Sequence, residues 1–233
     1  MAGKNFSERI LVGITGWSPR ALKKKIKEIN KQGITKAALF LEFLGSKQRE
    51  KVYESLLSSC IKEIPLVHIR HDMTKEELTF LSKNFKTKFF NIHESSFKIL
   101  EKWRGFYKHL FLEMDTNNFV PSFVDVHEIG GFCVDLAHFK VDEEKWSKEF
   151  EYIFKRENVH RYFVCNHLSG YSFKKNKDLH KAKSIKDFDY VNTLPKFLFG
   201  EIIAIEVRNK ISEQLEFKKY AAELLNKRFN KQK

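Results

Sequence analysis

The chain has 233 residues, with 43 Lys+Arg against 30 Asp+Glu and a formal net charge of +13 at pH 7. A hydrophobic share of 42% is enough for a continuous core, and a charged share of 31% with a mean hydropathy of −0.45 argues for a soluble protein. No apolar run approaches the roughly 18 residues of a membrane span, the first residues lack the apolar core of a secretion signal, and Cys60, Cys133 and Cys165 are too few for a disulfide scaffold. These features set the expectation of a cytoplasmic protein with reduced thiols and no membrane partner. The positive balance suits a phosphate-bearing partner such as DNA, or reflects an ordinary lysine-rich surface, since the lysines are scattered and form no block.

In chain order, Ile10–Thr15 reads as a first strand closed by Gly16. Ser18 caps a helix that has Pro19 at its first position, runs through Asn30 and is ended by Gly33. Ala37–Leu44 is the second strand, Gln48–Cys60 a helix and Ile64–Arg70 the third strand. Thr74 and Glu77 form a capping-box signature at the head of a helix reaching about Phe85. Phe89–His93 is the fourth strand, Ser96–Tyr107 a helix and His109–Met114 the fifth strand. A short helix is expected over Ser122–Glu128, and Gly130 and Gly131 lead into the sixth strand, Phe132–Leu136. Asp142–Arg156 has the pattern of an amphipathic helix, and Val159–Cys165 that of the seventh strand. Residues 170–194 read as a long loop rich in Lys, Asn and Asp. Lys196–Gly200 is a turn before the eighth strand, Ile202–Val207, and Ser212–Asn230 is the closing helix. Eightfold alternation without a domain boundary predicts one α/β domain over 1–233, a single (β/α)8 TIM barrel. An open doubly wound sheet is disfavoured, because no glycine-rich phosphate loop follows strand one.

The strands end in chemically loaded residues. They are Glu42, His68, His93, Glu113, Asp135 with His138 three residues on, His167 and Glu206. Strand side chains alternate between two faces. If Val67, Ile69 and Ile92 face the helices, then His68, Arg70, Asn91 and His93 point into the barrel. By the same rule Phe111 and Glu113 share the inward face, as do Cys133 and Asp135, Cys165 and His167, and Ala204 and Glu206. Six ligand-type residues (His68, His93, Glu113, Asp135, His167 and Glu206) then meet at one mouth. Burying each without a partner costs a few kcal/mol, so either bound cations or a charge-paired network must compensate them. Glu42 either lines that pocket or pairs with an arginine. Trp17, just past strand one, either stacks on a substrate or packs at the rim.

This constellation resembles the xylose-isomerase-like barrel superfamily, which includes endonuclease IV and the sugar isomerases and epimerases. Its most specific piece is Asp135-x-x-His138, followed by His167 and Glu206. The resemblance implies that Glu113, Asp135, His167 and Glu206 form the four-ligand metal set shared by both branches. The closer match is endonuclease IV, which implies up to three metal ions, zinc before manganese. His68, His93 and Glu113 would hold one ion, with Glu113 bridging to the shared set. His138, Asp178 and His180 would hold another, and His71 competes with His68 as the ligand from strand three. The implied activity is metal-dependent phosphodiester hydrolysis at abasic sites in DNA, with Arg70, Arg208 and the loop lysines Lys174, Lys175 and Lys177 holding phosphates. The alternative is a metal-dependent sugar or sugar-phosphate isomerase or epimerase. There Glu113 and Glu206 form the acid/base pair, and Arg70, Arg208 or His138 orients the substrate. Compressed intervals between the ligand positions leave little room for loops that penetrate DNA. The sequence leaves the oligomeric state open.

Overall fold

Short apolar runs alternating with amphipathic segments fold as parallel strands with covering helices. The computed structural model describes residues 5–115, 122–145 and 163–229. A helical turn α1 (Phe6–Arg9) precedes β1 (Ile10–Leu11) and β2 (Gly13–Ile14). Then come α2 (Pro19–Lys31), β3 (Ala38–Phe40), α3 (Ser46–Leu57), β4 (Leu66–His68), α4 (Lys75–Phe85) and β5 (Phe89–His93). After β6 (Leu110–Glu113) and β7 (Gly131–Asp135) follow α5 (Leu136–Lys145), β8 (Phe163–Leu168), β9 (Gly170–Ser172), β10 (Lys177–Leu179), β11 (Ile202–Ile205) and α6 (Ile211–Phe229).

The main sheet runs β1-β11-β8-β7-β6-β5-β4-β3-β2, and every pairing in it is parallel. Its two terminal segments, β1 and β2, are halves of one stretch broken at Val12. β1 pairs with β11 while β2 pairs with β3, so the sheet closes on itself into a cylinder. This is the (β/α)8 TIM barrel that the alternation predicts, with the first strand shared across the seam. Gly13 is needed there, because a Cβ at this position would lie 1.9 Å from the Ile205 carbonyl oxygen.

Two cores result. The larger lies between barrel and helices and contains Val67, Ile69, Ile92 and the apolar faces of the helices. The smaller fills the barrel with Leu11, Phe40, Leu66, Phe111, Cys133 and Cys165, among others. Inner-core residues occur at every second strand position, so the next inward residue toward the C-terminal end arrives at the mouth. The expected alternation of Phe111 with Glu113, Cys133 with Asp135 and Cys165 with His167 follows this register.

Several local expectations are corrected. The helix expected over Ser96–Tyr107 is a 3-10 segment, Glu94–Trp103, with a kink at Ile99. It is anchored by buried Trp103, whose indole N–H donates to the Met73 carbonyl at 3.0 Å. The expected long loop over 170–194 is structured. β9 and β10 form an antiparallel hairpin, and a 3-10 segment, Ile185–Asn192, follows with Ser184 and Asp187 as its capping box. Strand three is shorter than expected, so Arg70 lies beyond β4. Residues 146–162, with most of the helix expected over 142–156 and the start of the strand expected over 159–165, lie outside the described residues, as does the end of the closing helix.

Candidate metal centre

Register sets the geometry of the mouth. His93 is the cross-strand partner of Glu113, and Asp135 that of His167. The Nδ1 of His167 lies 3.1 Å from Glu113 Oε1 and 3.2 Å from Glu206 Oε2. Asn91 Nδ2 donates to Glu113 Oε2 at 2.5 Å. Asp135 Oδ1 accepts the amides of Ala137 and His138 at 2.8 and 2.9 Å, which caps the start of α5 and leaves Oδ2 free at the mouth. Ligand atoms of Glu113, Asp135, His167 and Glu206 all lie within 4.8 Å of one another.

Flanking groups meet the same distance limit. One comprises His68, His93 and Glu113, and another His138, Asp178 and His180. His68 Nδ1 is 3.7 Å from Glu113 Oε2 and 3.8 Å from Glu42 Oε2. His138 Nε2 is 3.9 Å from both Asp135 Oδ2 and Asp178 Oδ2, and His180 Nε2 is 3.2 Å from Asp178 Oδ2. The β9–β10 hairpin presents Asp178 and His180 to the barrel, an outcome that a structureless loop would not explain.

The electrostatics show buried acids and imidazoles that shift one another's charge. Burial and the neighbouring Glu206 charge push Glu42 up to about 8. Burial, with Glu206 and Glu113, raises Asp135 despite His138. Burial opposes charge on His167, yet the surrounding acids, Glu113 and Glu206 among them, raise it well above the usual imidazole range. Glu113 is held well below the carboxylate range: burial opposes this, but His167 outweighs it. His68 is pushed well below the imidazole range by burial, against the pull of Glu113. A neutral imidazole is the ligand form. Burial opposes charge on His93 too, but Asp115, 3.1 Å from its Nδ1, and Glu113 raise it to about 9.

Buried atoms without a hydrogen-bond partner gather here. They include both ring nitrogens of His68, His167 Nε2, Asp135 Oδ2, Glu206 Oε2 and Glu42 Oε2. Orphaned carboxylate and imidazole atoms converging in one place fit a divalent cation, and a mixed N/O donor set suits zinc or manganese.

The site opens into a cavity of about 420 Å³ lined by Glu42, His68, His93, Glu113, His138, His180 and Glu206, with Trp17, Phe43 and Arg208 at its rim. Trp17 is 64% exposed, so it belongs to the rim and not to the core. The Arg208 guanidinium lies 4.2 Å from its ring centroid. Arg70 does not line this cavity: it pairs with Asp72 at 3.5 Å, which corrects its expected inward placement. His71 is exposed, which leaves His68 as the strand-three histidine at the mouth. Glu42 has no arginine partner among the described residues and faces His68. Sequence reasoning passed over Asn91 and Asp115 as partners of the ligand-type residues. Their signal was position, each standing two residues from a ligand-type residue in the sequence.

No family's sequence profile matches the chain, and no curated protein matches it. A solved structure described as a D-tagatose 3-epimerase-like protein aligns with a TM-score of 0.55 at 12% identity, covering 95% of this chain and 99% of that one. Among the described residues, no helix is long and apolar enough to cross a membrane. The likeness establishes a shared fold, a (β/α)8 TIM barrel.

Proposed function

We propose that this chain is a divalent-metal-dependent isomerase or epimerase acting on a small sugar or sugar phosphate. One observation carries the reading: the ligand atoms of Glu113, Asp135, His167 and Glu206 converge within 4.8 Å beside a cavity of about 420 Å³. That volume lies in the range of small-molecule sites. The epimerase-like description of the protein sharing this fold supports the same reading. An ion held by these four residues would polarise a carbonyl and its neighbouring hydroxyl. Glu113 and Glu206, on either side of His167, are the acid/base pair that moves a proton between adjacent carbons. Asn91 fixes the Glu113 carboxylate by its hydrogen bond, and Arg208 and Trp17 at the rim orient the substrate.

A second reading, phosphodiester hydrolysis of the kind endonuclease IV performs on DNA, is favoured by a separate observation. The flanking groups of His68, His93 and Glu113 and of His138, Asp178 and His180 provide ligands for two further ions, which a one-metal isomerase does not need. Metal counting by mass spectrometry separates the two, combined with NMR of ketoses and ketose phosphates incubated with the protein in D2O. About one ion per chain and deuterium appearing on a substrate carbon are expected. About three ions, falling by one in His180→Ala, with no deuterium incorporation and with incision of abasic duplex DNA, would replace the isomerase by the hydrolase.

A further inference from the structure

Behind Trp17 the rim divides two cavities. The second, of about 270 Å³, shares Thr15, Gly16, Trp17 and Arg208 with the metal-site cavity and continues along the head of α2. Gly16 shapes the shared wall. Its φ of +154° suits glycine, and a Cβ there would sit 2.7 Å from Ala21 Cβ, so the chain can press against the first turn of α2 only without a side chain.

The charge in this second cavity is one-sided. Lys24, Lys25, Arg208 and Lys210 line it against a single acid, Glu28. Glu28 is already engaged, since its Oε2 accepts the Ile211 amide at 2.9 Å. Lys25 is buried and donates to the Asn209 carbonyl, with Glu28 and Glu213 as its neighbouring acids. A second acid, Glu213, faces Lys25 and Lys210, and its carboxylate is engaged too, accepting from the Asn209 side-chain amide at 3.1 Å and the Lys210 backbone N–H at 3.0 Å. Four cations in a concave site outnumber the two acids beside them, Glu28 and Glu213, and this positive excess favours an anion there. The 13-residue helix α2 begins at the same place with Ser18 as its cap and no acid in its first turn, so its positive end adds to the field. Arg208 is held ready: its backbone N–H donates to the His180 carbonyl at 2.7 Å, and its guanidinium rests on Trp17.

We propose that the second cavity is a phosphate subsite. It takes the terminal phosphoryl group of a phosphorylated sugar whose carbon chain lies in the metal-site cavity, with Arg208 and Trp17 at the divide. The assignment of the carbon chain rests on the isomerase reading above; the affinity for phosphate does not.

The test titrates inorganic phosphate into the metal-loaded full-length chain by calorimetry. The double variant Lys24→Glu/Lys210→Glu changes two exposed side chains and is expected to fold as the wild type and bind phosphate at least tenfold more weakly. Glu206→Gln, at the metal centre, is expected to bind phosphate as the wild type does. The proposal is overturned if the wild type shows no phosphate binding, or if the lysine variant keeps its affinity. It is equally overturned if Glu206→Gln alone loses phosphate, which would place the anion at the metal centre. An oligonucleotide that loses affinity in the lysine variant while phosphate does not would also overturn it, in favour of a nucleic-acid surface. Absence of turnover on every sugar and sugar phosphate would remove the isomerase reading and leave the phosphate ratio standing as its own measurement.

Discussion

Asn91 shows how one neutral side chain organises the acids around it. Its amide donates to Glu113 Oε2 while His167 approaches Glu113 Oε1, so both oxygens of this carboxylate are fixed in direction. A carboxylate fixed in this way presents its remaining lone pairs at a constant position. Partners outside the ligand set typically contribute 10–100-fold to metal affinity. Asn91→Ala is therefore expected to lower metal affinity by about 10- to 100-fold while the chain folds normally. Competition against a fluorescent chelator measures it, and an unchanged affinity would show that Glu113 needs no such guide. The same logic assigns Asp115 to His93, whose Nδ1 it faces at 3.1 Å.

The elements that carry the site are fastened to each other by a buried arginine. Arg49 on α3 is fully buried and donates to both oxygens of Glu77 at 2.7 and 2.9 Å, to Asp72 Oδ1 at 2.8 Å and to the Leu44 carbonyl at 2.6 Å. It joins the segment after β3, which bears Glu42 and Phe43, to the turn after β4 and to the cap of α4. Arg49→Met is expected to destabilise the chain by about 3 kcal/mol, at the lower end for a broken buried pair because Glu77 and Asp72 keep some contact with water; urea unfolding reads it. The pH dependence has a definite sign. Burial opposes ionisation of Glu77, but Arg49, the Thr74 amide and Tyr53 outweigh it and hold it below the usual carboxylate value of 4.5. Its contribution is therefore present above about pH 4.5 and lost as the pH falls through its folded value, so Glu77→Gln is expected to lose stability less steeply on acidification. The capping box of Thr74 and Glu77 was legible in the sequence because it depends on four consecutive positions. The link from Glu77 to Arg49 was not, because it joins residues 28 apart through packing alone. The β9–β10 hairpin escaped detection for a related reason: its strands are three residues each and carry no apolar alternation.

At the scale of the whole molecule, the residues that meet at the mouth were legible because a barrel converts strand order into a ring, and period-two alternation then decides which residues face it. Glu113, Asp135, His167 and Glu206 needed only that rule. Arg70 defeated it, because β4 ends at His68 and the chain beyond no longer obeys strand alternation. The seam was hidden as well. A run such as Ile10–Thr15 does not reveal that it is broken at Val12 and shared between two neighbours. Closure at that break depends on Gln214 of α6, which is fully buried. Its Oε1 accepts the Gly13 amide at 2.7 Å, and its Nε2 donates to the carbonyls of Gly13, Val207 and Asn209 at 3.1 to 3.2 Å. One side chain thus replaces the ladder bonds that the broken strand cannot make, and it binds the first strand to the segment immediately after Glu206. Gln214→Leu keeps the volume but leaves the buried Gly13 amide without its acceptor, at about 1–3 kcal/mol, while the Val207 and Asn209 carbonyls keep Thr15 and Lys25 as donors. The expected result is a loss of about 1–3 kcal/mol in urea unfolding. A variant as stable as the wild type would mean that the seam is held by the apolar cores alone.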